Sequence, residues 1–258
     1  IGKGIEPLTF GTGNVPFARK IVHRFAEVRC LDPRRDVLVL NGMPRHVGQA
    51  LACAAAGIDV KLVVFTQEVP CVYCKETVEV CQEIASVNSK VKVEIYDYVK
   101  DQMRAKELRV DKIPAIAVIG AKDYGVRFYG IPSGYEFTSL IGSILDVSKG
   151  DSGLSPKSKD LLKTLDRPIH IQVYVTPTCP FCPTAVRLAH RLAIESDFIW
   201  ADMVESNEFV PLAQKYGVMG VPKTIINERQ EIGGVVPEDL LVLHVLNANR
   251  EQEPLQPR

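Results

Sequence analysis

The sequence predicts an α/β protein that contains two copies of one small fold behind an N-terminal extension. Two Cys-x-x-Cys pairs begin at Cys71 and Cys179, 108 positions apart, which is a typical length for a small domain. A proline follows each pair at the same interval, since 43 positions separate Cys71 from Pro114 and also Cys179 from Pro222. The same order of strand and helix patterns surrounds both pairs. This repetition indicates two tandem α/β units.

The first unit is predicted over residues 58–150. The β-branched run at 61–66 predicts a buried strand, and apolar residues at helical spacing after Cys74 predict a helix that opens at the first cysteine pair. The remaining elements, in chain order, are an alternating strand at 91–97, a helical stretch near 102–108, a strand entered through Pro114 at 112–119, a strand and turn at 126–130, and a closing helix at 135–147.

The second unit, over residues 151–258, repeats this order. Residues 150–156 are rich in glycine and serine and are expected to connect the two copies, and the polar tail at 250–258 is expected to be frayed. The predicted elements are a strand at 169–175, a helix that continues from Cys182, a strand at 198–202, a helix at 208–216, a strand entered through Pro222 at 221–226, and a helix from about 237 to 247.

Residues 1–57 do not belong to the repeat and form the predicted N-terminal extension. Within it, 36–40 could be a strand and the alanine-rich 49–57 could be a helix. Its paired glycines, at 2 and 4 and at 11 and 13, do not make a phosphate loop, because no strand precedes them and no Lys-Ser/Thr follows.

Composition limits the function classes. With 46% hydrophobic and 24% charged residues, the chain is typical of a soluble globular protein. Lys plus Arg and Asp plus Glu both number 31, so net charge gives no reason to expect a nucleic-acid or anionic-membrane partner. No apolar run of about 18 residues is present, and no secretory signal is recognisable, which favours a cytoplasmic location. Seven cysteines, an odd number in a long chain, argue against a secreted disulfide scaffold.

The two cysteine pairs have the spacing of dithiol redox sites. Such a site needs an attacking thiolate and a second thiol within reach to resolve the mixed disulfide. Cys71 and Cys179 are expected at the N-terminal ends of helices, where unpaired N–H groups and the helix dipole stabilise a thiolate. Cys74 and Cys182 lie one turn further in and suit the resolving role. Pro180 is expected in the first helical turn.

The two prolines are the second part of the signal. A proline that enters a strand beside a redox pair is a place where the fold can maintain a cis peptide bond. That arrangement would leave the backbone of Ile113 and Val221 free to pair with an extended substrate segment. Ile113, Pro114, Val221 and Pro222 are therefore the predicted substrate-binding residues.

From about residue 58 to 249 the chain resembles the protein disulfide oxidoreductase family of thermophilic archaea and bacteria, a tandem-thioredoxin, glutaredoxin-like group. The segments that carry the resemblance are Tyr-Gly-Val-Arg-Phe-Tyr-Gly-Ile-Pro-Ser-Gly-Tyr-Glu-Phe at 124–137, Val-Thr-Pro-Thr-Cys-Pro-Phe-Cys-Pro-Thr-Ala-Val-Arg at 175–187, Ala-Asp-Met-Val-Glu at 201–205 and Val-Met-Gly-Val-Pro at 218–222. Residues 1–45 match nothing typical of that family.

The resemblance implies two tandem thioredoxin-like units, each a central mixed β-sheet flanked by helices. It implies redox-active pairs at Cys71/Cys74 and Cys179/Cys182, cis prolines at 114 and 222, and cytoplasmic oxidation, reduction or isomerisation of protein disulfides. Protein substrates with thiols or disulfides are the implied partners, and a thioredoxin-reductase-type enzyme is a possible electron donor. No bound cofactor or metal is implied.

Other residues are open to two interpretations. Asp97 and Asp202 are interpreted as ending the second strand of each unit, either as exposed carboxylates or as buried carboxyls that take a proton from the resolving cysteine. Glu205 is a weaker candidate for the same role. The remaining assignments are core packing for Cys81 and Cys53, and a surface or core position for His170 and His190, neither of which has a Cys or Asp partner at triad-like spacing.

Three rival functions remain open. The chain resembles the tandem-thioredoxin part of a flavin-dependent peroxiredoxin reductase, which would make it an electron-relay module, although such modules usually keep one redox pair. A chaperone could use the substrate groove without turnover. A metal scaffold is disfavoured because Cys74 and Cys179 are 105 positions apart, whereas compact zinc sites place their second pair within about 20 residues.

Overall fold

A computed structural model describes residues 58–68 and 71–251 of the chain. The first unit contains β1 (Val60–Thr66), α1 (Cys74–Val87), β2 (Val91–Asp97), α2 (Gln102–Glu107), β3 (Ala115–Ile119), β4 (Asp123–Tyr129) and α3 (Glu136–Lys149). The second contains α4 (Pro156–Leu162), β5 (Ile169–Val175), α5 (Cys182–Glu195), β6 (Ile199–Glu205), α6 (Val210–Lys215), β7 (Lys223–Ile226), β8 (Gln230–Gly233) and α7 (Glu238–Glu251).

All eight described strands form one sheet in the order β2-β1-β3-β4-β6-β5-β7-β8. Within each unit the first two strands are parallel and the last two are antiparallel. The two units join where β4 pairs in parallel with β6. The sheet is therefore mixed, and the predicted α/β class with a repeated strand–helix order is confirmed.

Each face of the sheet is covered by a different set of helices. The larger apolar core lies under α1, α3, α4, α5 and α7 and contains residues from both units, such as Ile84, Leu140 and Val186. The smaller core lies under α2 and α6 on the opposite face and includes Phe65 and Tyr174. Both helices that begin at a Cys-x-x-Cys pair thus pack on the same face.

The strand directions bring both cysteine pairs to one edge of the sheet. Because β1, β4, β5 and β6 all run the same way, their C-terminal ends meet at that edge. The first pair follows β1 and the second follows β5, which lie four strand spacings apart. At about 4.8 Å per spacing, this separates the sites by roughly 19 Å across the sheet.

Side chains on the larger-core face reinforce the junction between the units. Ser143 on α3 lies 2.9 Å from Nδ1 of His190 on α5, whose Nε2 lies 3.2 Å from the Arg127 carbonyl oxygen. Of the two positions left open for His190, surface or core, the structure shows the core, and burial lowers the pKa of its imidazole to about 3, so the ring is neutral. Asp146 on α3 also binds Arg187 and Arg191 on α5.

The structure adds two elements that the sequence patterns did not define. Helix α4 begins at the last residue of the expected connection: Ser155 caps it by accepting a hydrogen bond from the Ser158 N–H, and Pro156 occupies its first turn. Strand β8 is short and pairs with β7 at the end of the sheet. Strand β6 is longer than expected and ends at Glu205 rather than at Asp202.

Several predictions fall outside the described residues. These are the strand at 36–40, the helix at 49–57 and the packing role of Cys53. The tail beyond Glu251 lies outside them as well. Between 58–68 and 71–251, no helix is long and apolar enough to cross a membrane.

Replacement of Gly125 by alanine should weaken the junction between the units. Gly125 has φ +78°, and an added Cβ would lie 2.9 Å from the Ile199 carbonyl oxygen and from the Trp200 Cα on β6. Gly153, with φ +64° and no atom within 4 Å of the position its Cβ would take, is the matched control for the backbone cost alone. Urea unfolding should show a loss of about 1 kcal/mol for Gly153→Ala and about 2–4 kcal/mol for Gly125→Ala. Equal losses would show that close approach to β6 does not matter.

Candidate redox sites

The first pair, Cys71 and Cys74, is joined by a disulfide with a Cα–Cα distance of 5.5 Å. Cys74 is the first residue of α1 and is buried, whereas Cys71 lies in the preceding turn and is partly exposed. The carbonyl oxygen of Tyr73 accepts hydrogen bonds from the backbone N–H and the hydroxyl of Thr77, at 3.0 and 2.7 Å. Val72, between the cysteines, is 80% exposed and offers apolar surface beside the sulfurs.

The second pair has the same geometry. Cys179 and Cys182 form a disulfide with a Cα–Cα distance of 5.5 Å, and Cys182 begins α5. The backbone N–H of Cys182 donates to Sγ of Cys179 at 3.1 Å. Phe181 is 67% exposed. The proline in the first helical turn is Pro183 rather than Pro180, because the helix begins one turn later than the sequence suggested.

This geometry suits a dithiol that opens and closes. The donated N–H and the amino end of α5 would stabilise negative charge on Cys179 once the disulfide is reduced. Cys182, its disulfide partner, is fully buried and therefore shielded from solvent. In the first pair Cys71 is partly exposed above the buried Cys74, whereas in the second pair Cys179 is itself only 7% exposed.

Both predicted prolines follow cis peptide bonds, Ile113–Pro114 and Val221–Pro222. The carbonyl oxygen of Pro114 accepts from the Gly130 N–H at 2.9 Å, and that of Pro222 accepts from the Gly234 N–H at 2.8 Å.

The second proline segment lies against its redox pair. The carbonyl oxygen of Val221 is 3.8 Å from Sγ of Cys179. Ile113 and Val221 are both partly exposed. The cis geometry is therefore confirmed at both sites, while the substrate-binding role of these residues stays a prediction.

Asp97 does not have the environment that proton transfer to a buried thiol requires. It ends β2, as predicted, but its side chain is 22% exposed, and its carboxylate accepts hydrogen bonds from the backbone N–H groups of Lys100 and Val99. These bonds hold the pKa of Asp97 below its ordinary value. The carboxylate shapes the turn that leads to α2.

Asp202 is buried but lies on the opposite face of the sheet from α5. Its neighbours along β6, Ala201 and Met203, belong to the core under α5, and successive side chains of a strand face opposite sides of the sheet. Burial favours a raised pKa for Asp202, but the His170 imidazole, with help from Lys112, holds the pKa below its ordinary value. His170 Nε2 lies 2.6 Å from the Asp202 carboxylate, so the expectation that His170 has no Asp partner is wrong.

The strand register explains why Asp97 and Asp202 differ. Asp97 is opposite Thr66 at the end of the β1–β2 ladder, and Glu205 is opposite Val175 at the end of the β5–β6 ladder. The counterpart of Asp97 is therefore Glu205, and the assumed equivalence of the two aspartates is wrong.

Three glutamates near the redox edge have raised pKa values; Glu136 and Glu205 are buried and Glu208 is partly buried. Burial raises the pKa of Glu205, which lies on the α5 face of the sheet and accepts from the Glu208 N–H. Burial, with repulsion from Glu205 and Glu76, raises the pKa of Glu208 to about 7, and Glu208 accepts from the Ile131 N–H at 2.7 Å.

The third glutamate, Glu136, is 1% exposed at the start of α3, and burial raises its pKa to about 8 against the opposing effect of the Ser139 hydroxyl. The neighbouring Tyr135 N–H donates to the Pro177 carbonyl oxygen at 3.0 Å, two residues before Cys179. Glu136 therefore lies beside the turn that carries the second pair. Sequence reasoning assigned no role to Glu136 or Glu208, because a first-turn or loop glutamate is ordinarily solvated.

The remaining cysteine and metal predictions concern the described residues only. Cys81 is a buried free thiol in the larger core, and burial raises its pKa, so its predicted packing role is confirmed. No group of three or more His, Cys, Asp or Glu side chains within 58–68 and 71–251 is arranged to hold a metal ion.

Comparison with known proteins agrees with this fold. A model of the thioredoxin domain matches residues 169–247, which span the second cysteine pair and its proline. The structure of a protein disulfide oxidoreductase from Aeropyrum pernix superimposes with a TM-score of 0.75 at 29% identity, over 85% of this chain and 98% of that one. This chain is a tandem thioredoxin-fold protein similar to the protein disulfide oxidoreductases.

The tandem thioredoxin-fold protein is also similar to parts of alkyl hydroperoxide reductase subunits. A structure of the alkylhydroperoxide reductase AhpF from Enterococcus faecalis gives a TM-score of 0.72 at 25% identity, over 77% of this chain and 96% of that one. The corresponding alkyl hydroperoxide reductase protein of Staphylococcus epidermidis is 33% identical over 116 residues, 43% of this chain and 22% of that protein.

A curated relative with a different name is a Bacillus subtilis NADH dehydrogenase, 28% identical over 155 residues, which are 59% of this chain and 28% of that protein. The chain thus spans less than a third of the length of these curated relatives. The two Cys-x-x-Cys pairs and the thioredoxin fold together support thiol–disulfide exchange.

Replacement of Glu136 by glutamine should change how stability depends on pH. The carboxyl has a pKa of about 8 in the folded protein against an ordinary value of 4.5. Its contribution to folding stability is therefore fully present below pH 4.5 and is lost as the pH rises through 8. Glu136→Gln should therefore gain stability relative to the parent, by about 2–5 kcal/mol between pH 5 and pH 8.

Urea unfolding of the oxidised proteins at several pH values measures this change. Glu107→Gln, at an exposed site on α2, is the matched control and should show no such trend. A parallel pH dependence of the parent and Glu136→Gln would contradict the buried neutral carboxyl.

Proposed function

We propose that this tandem thioredoxin-fold protein is a cytoplasmic protein disulfide oxidoreductase with two dithiol sites. The observation that carries the proposal is the duplicated arrangement of a Cys-x-x-Cys pair at a helix start and a cis proline beside it, at one edge of one sheet. The substrates are proteins with thiols or disulfides. No bound cofactor takes part, and a thioredoxin-reductase-type enzyme is the proposed electron donor.

In the reductive direction, the thiolate of Cys179 attacks one sulfur of a substrate disulfide. A mixed disulfide forms, and the other substrate sulfur leaves as a thiolate that takes up a proton. Cys182 loses its proton and attacks Sγ of Cys179, which releases the second substrate sulfur and closes the Cys179–Cys182 disulfide. Two electrons pass from the enzyme dithiol to the substrate, and Cys71 and Cys74 act in the same way. The oxidative direction reverses these steps.

The substrate is proposed to bind as an extended segment beside the proline loops. The backbone of Ile113 or Val221 would pair with it as an added strand, and the adjoining Pro114 or Pro222 would pack against the disulfide. The exposed side chains of Val72 and Phe181 supply apolar contact area around each pair.

A buried carboxyl can hold the proton that Cys182 loses. Glu136 and Glu205 lie on the α5 side of the sheet, and burial raises the pKa of both carboxyls, that of Glu136 to about 8. We propose this role for them in place of Asp97 and Asp202.

Similarity to the alkylhydroperoxide reductase AhpF favours a second candidate function. In that case the protein would relay electrons between a flavoprotein and a peroxidase. Addition of a purified peroxiredoxin, hydrogen peroxide and a flavoprotein reductase would reveal this as peroxide-dependent NADH or NADPH consumption that requires the tandem thioredoxin-fold protein.

Cysteine replacements should separate the attacking from the resolving thiols. With one pair already changed to serine, Cys179→Ser or Cys71→Ser should reduce insulin disulfides no faster than dithiothreitol alone, because no attacking thiolate remains. Cys182→Ser or Cys74→Ser should instead accumulate a mixed disulfide with insulin, detectable by mass spectrometry. Cys81→Ser is the control, and loss of activity in that variant would contradict the assignment.

Separate reduction potentials should indicate the net direction. Each pair is titrated with dithiothreitol or glutathione in a protein whose other pair is changed to serine. A value near about −270 mV would favour a reductase, and a value near about −180 mV or above would favour an oxidase or isomerase. A pair that does not titrate has no redox role, and the two-site proposal would be wrong for it.

A further inference from the structure

Lys112 connects the first proline loop to the second unit. It directly precedes the Ile113–Pro114 bond, and its side chain is only 14% exposed. Its Nζ lies 3.5 Å from the centre of the Tyr129 ring on β4 and 4.0 Å from the Asp202 carboxylate on β6. It also binds the neighbouring Asp111 at 2.5 Å. The ammonium is thus held between an aromatic face and a carboxylate from the other unit.

The chain that leads into Lys112 is fastened to the same surface. Nε of Arg127 donates to the Leu108 carbonyl oxygen at 2.8 Å, and the Tyr129 hydroxyl donates to the Arg109 carbonyl oxygen at 3.1 Å. Arg127 is the register partner of Asp202 across the β4–β6 ladder. The approach to the first proline loop therefore depends on β4 side chains that lie against Asp202.

Asp202 is the buried anion of this cluster. It is 2% exposed, and its pKa is lowered by His170 from its own unit and by the cations Lys112 and Arg127 from the first unit. A buried carboxylate without cations is costly, and so is a buried ammonium without an anion. Without Asp202, Lys112 would gain by turning its ammonium towards solvent, which would release the residue before Ile113.

The second proline loop is held differently. By the 108-residue spacing of the cysteine pairs, the counterpart of Lys112 is Gly220, and no atom lies within 4 Å of a Cβ built on it. Met219 beside it is 96% exposed. The carbonyl oxygens of Tyr216 and Gly217 are held by Lys223 of the same unit. Among the described residues, Lys112 therefore links the first proline loop to the other unit. At the second loop its counterpart is Gly220, which has no side chain to do so.

We propose that Asp202, in the second unit, is a positioning residue for the first dithiol site. Through the Lys112 ammonium it holds the Ile113–Pro114 segment in the geometry that pairs with an extended disulfide substrate. The second site is independent of this contact, so the two sites differ in how firmly their substrate loops are held. This inference rests on the proposed function, because it concerns substrate pairing at one of the two sites.

The test uses two full-length proteins, one with the first cysteine pair intact and the other with the second pair intact, the remaining pair being serine. Asp202→Asn and Lys112→Met are introduced into both. Lys112→Met is the milder change, since Asp202 keeps His170 and Arg127. Glu94→Gln is the matched control, because Glu94 occupies the equivalent strand position in the first unit and pairs with Lys61 at the surface.

The first assay measures kcat and KM for the protein-catalysed reduction, by dithiothreitol, of a fluorescent peptide closed by one disulfide. The second uses hydroxyethyl disulfide, a substrate too small to need the proline loop. At the first site, both variants should raise KM for the peptide about tenfold with little change in kcat, in hydroxyethyl disulfide reduction or in reduction potential. The double variant should be no worse than either single variant, because both remove the same contact. The second site and Glu94→Gln should be unchanged.

Equal losses at both sites would overturn the inference, since they would indicate general destabilisation, and so would an unchanged KM at the first site. Binding of the reduced, alkylated peptide, measured by fluorescence anisotropy, separates this outcome from failure of the proposed function. If the parent protein binds the peptide but does not reduce it, the redox proposal fails at that site. In that case, peptide binding about tenfold weaker in Lys112→Met at that site would support the inference, and unchanged binding would overturn it.

Discussion

The backbone of β4 pairs in parallel with β6, from Val126 opposite Ala201 to Tyr129 opposite Val204. This ladder turns two four-stranded sheets into one, and it fixes the relative direction of the units. Because the strands that precede both cysteine pairs then run the same way, both redox sites lie at one edge and on one face. The same ladder lets α3 and α5 pack together over a shared core, so neither unit has a separate apolar interior on that side.

The junction also changes the electrostatics of equivalent positions. In the first unit, Lys61 and Glu94 pair across β1 and β2 at a distance of 2.9 Å, and both are partly exposed. In the second unit the corresponding residues are His170 and Asp202, and strand β4 of the first unit pairs with β6 beside Asp202, which is buried. An ion pair at the surface contributes little to stability, whereas a buried carboxylate must be matched by cations. The same strand positions therefore carry a dispensable pair in one unit and an obligatory one in the other.

At the redox edge, burial raises the pKa of three carboxyls. The loop that follows β4 covers the end of β6, where the Ile131 N–H binds Glu208. Glu205 and Glu208 become neighbours in a poorly solvated place, which favours their neutral forms. Glu136 is neutralised by burial at the start of α3. Groups that titrate near neutral pH thus lie beside dithiols that exchange protons with every electron pair.

The amino-acid sequence by itself determined the repeat, the class of the fold and the positions of the four cysteines and two prolines. These features depend on local periodicity and on spacing along the chain, so patterns such as 169–175 predicted β5 with its observed bounds. Sequence patterns could not decide which carboxyls are buried. Asp97 and Asp202 looked equivalent in the sequence, yet Asp97 is partly exposed at a strand end and Asp202 is buried beside the neighbouring unit. Only the tertiary structure decided that difference, because burial and charge pairing depend on what the β4–β6 junction places over each residue.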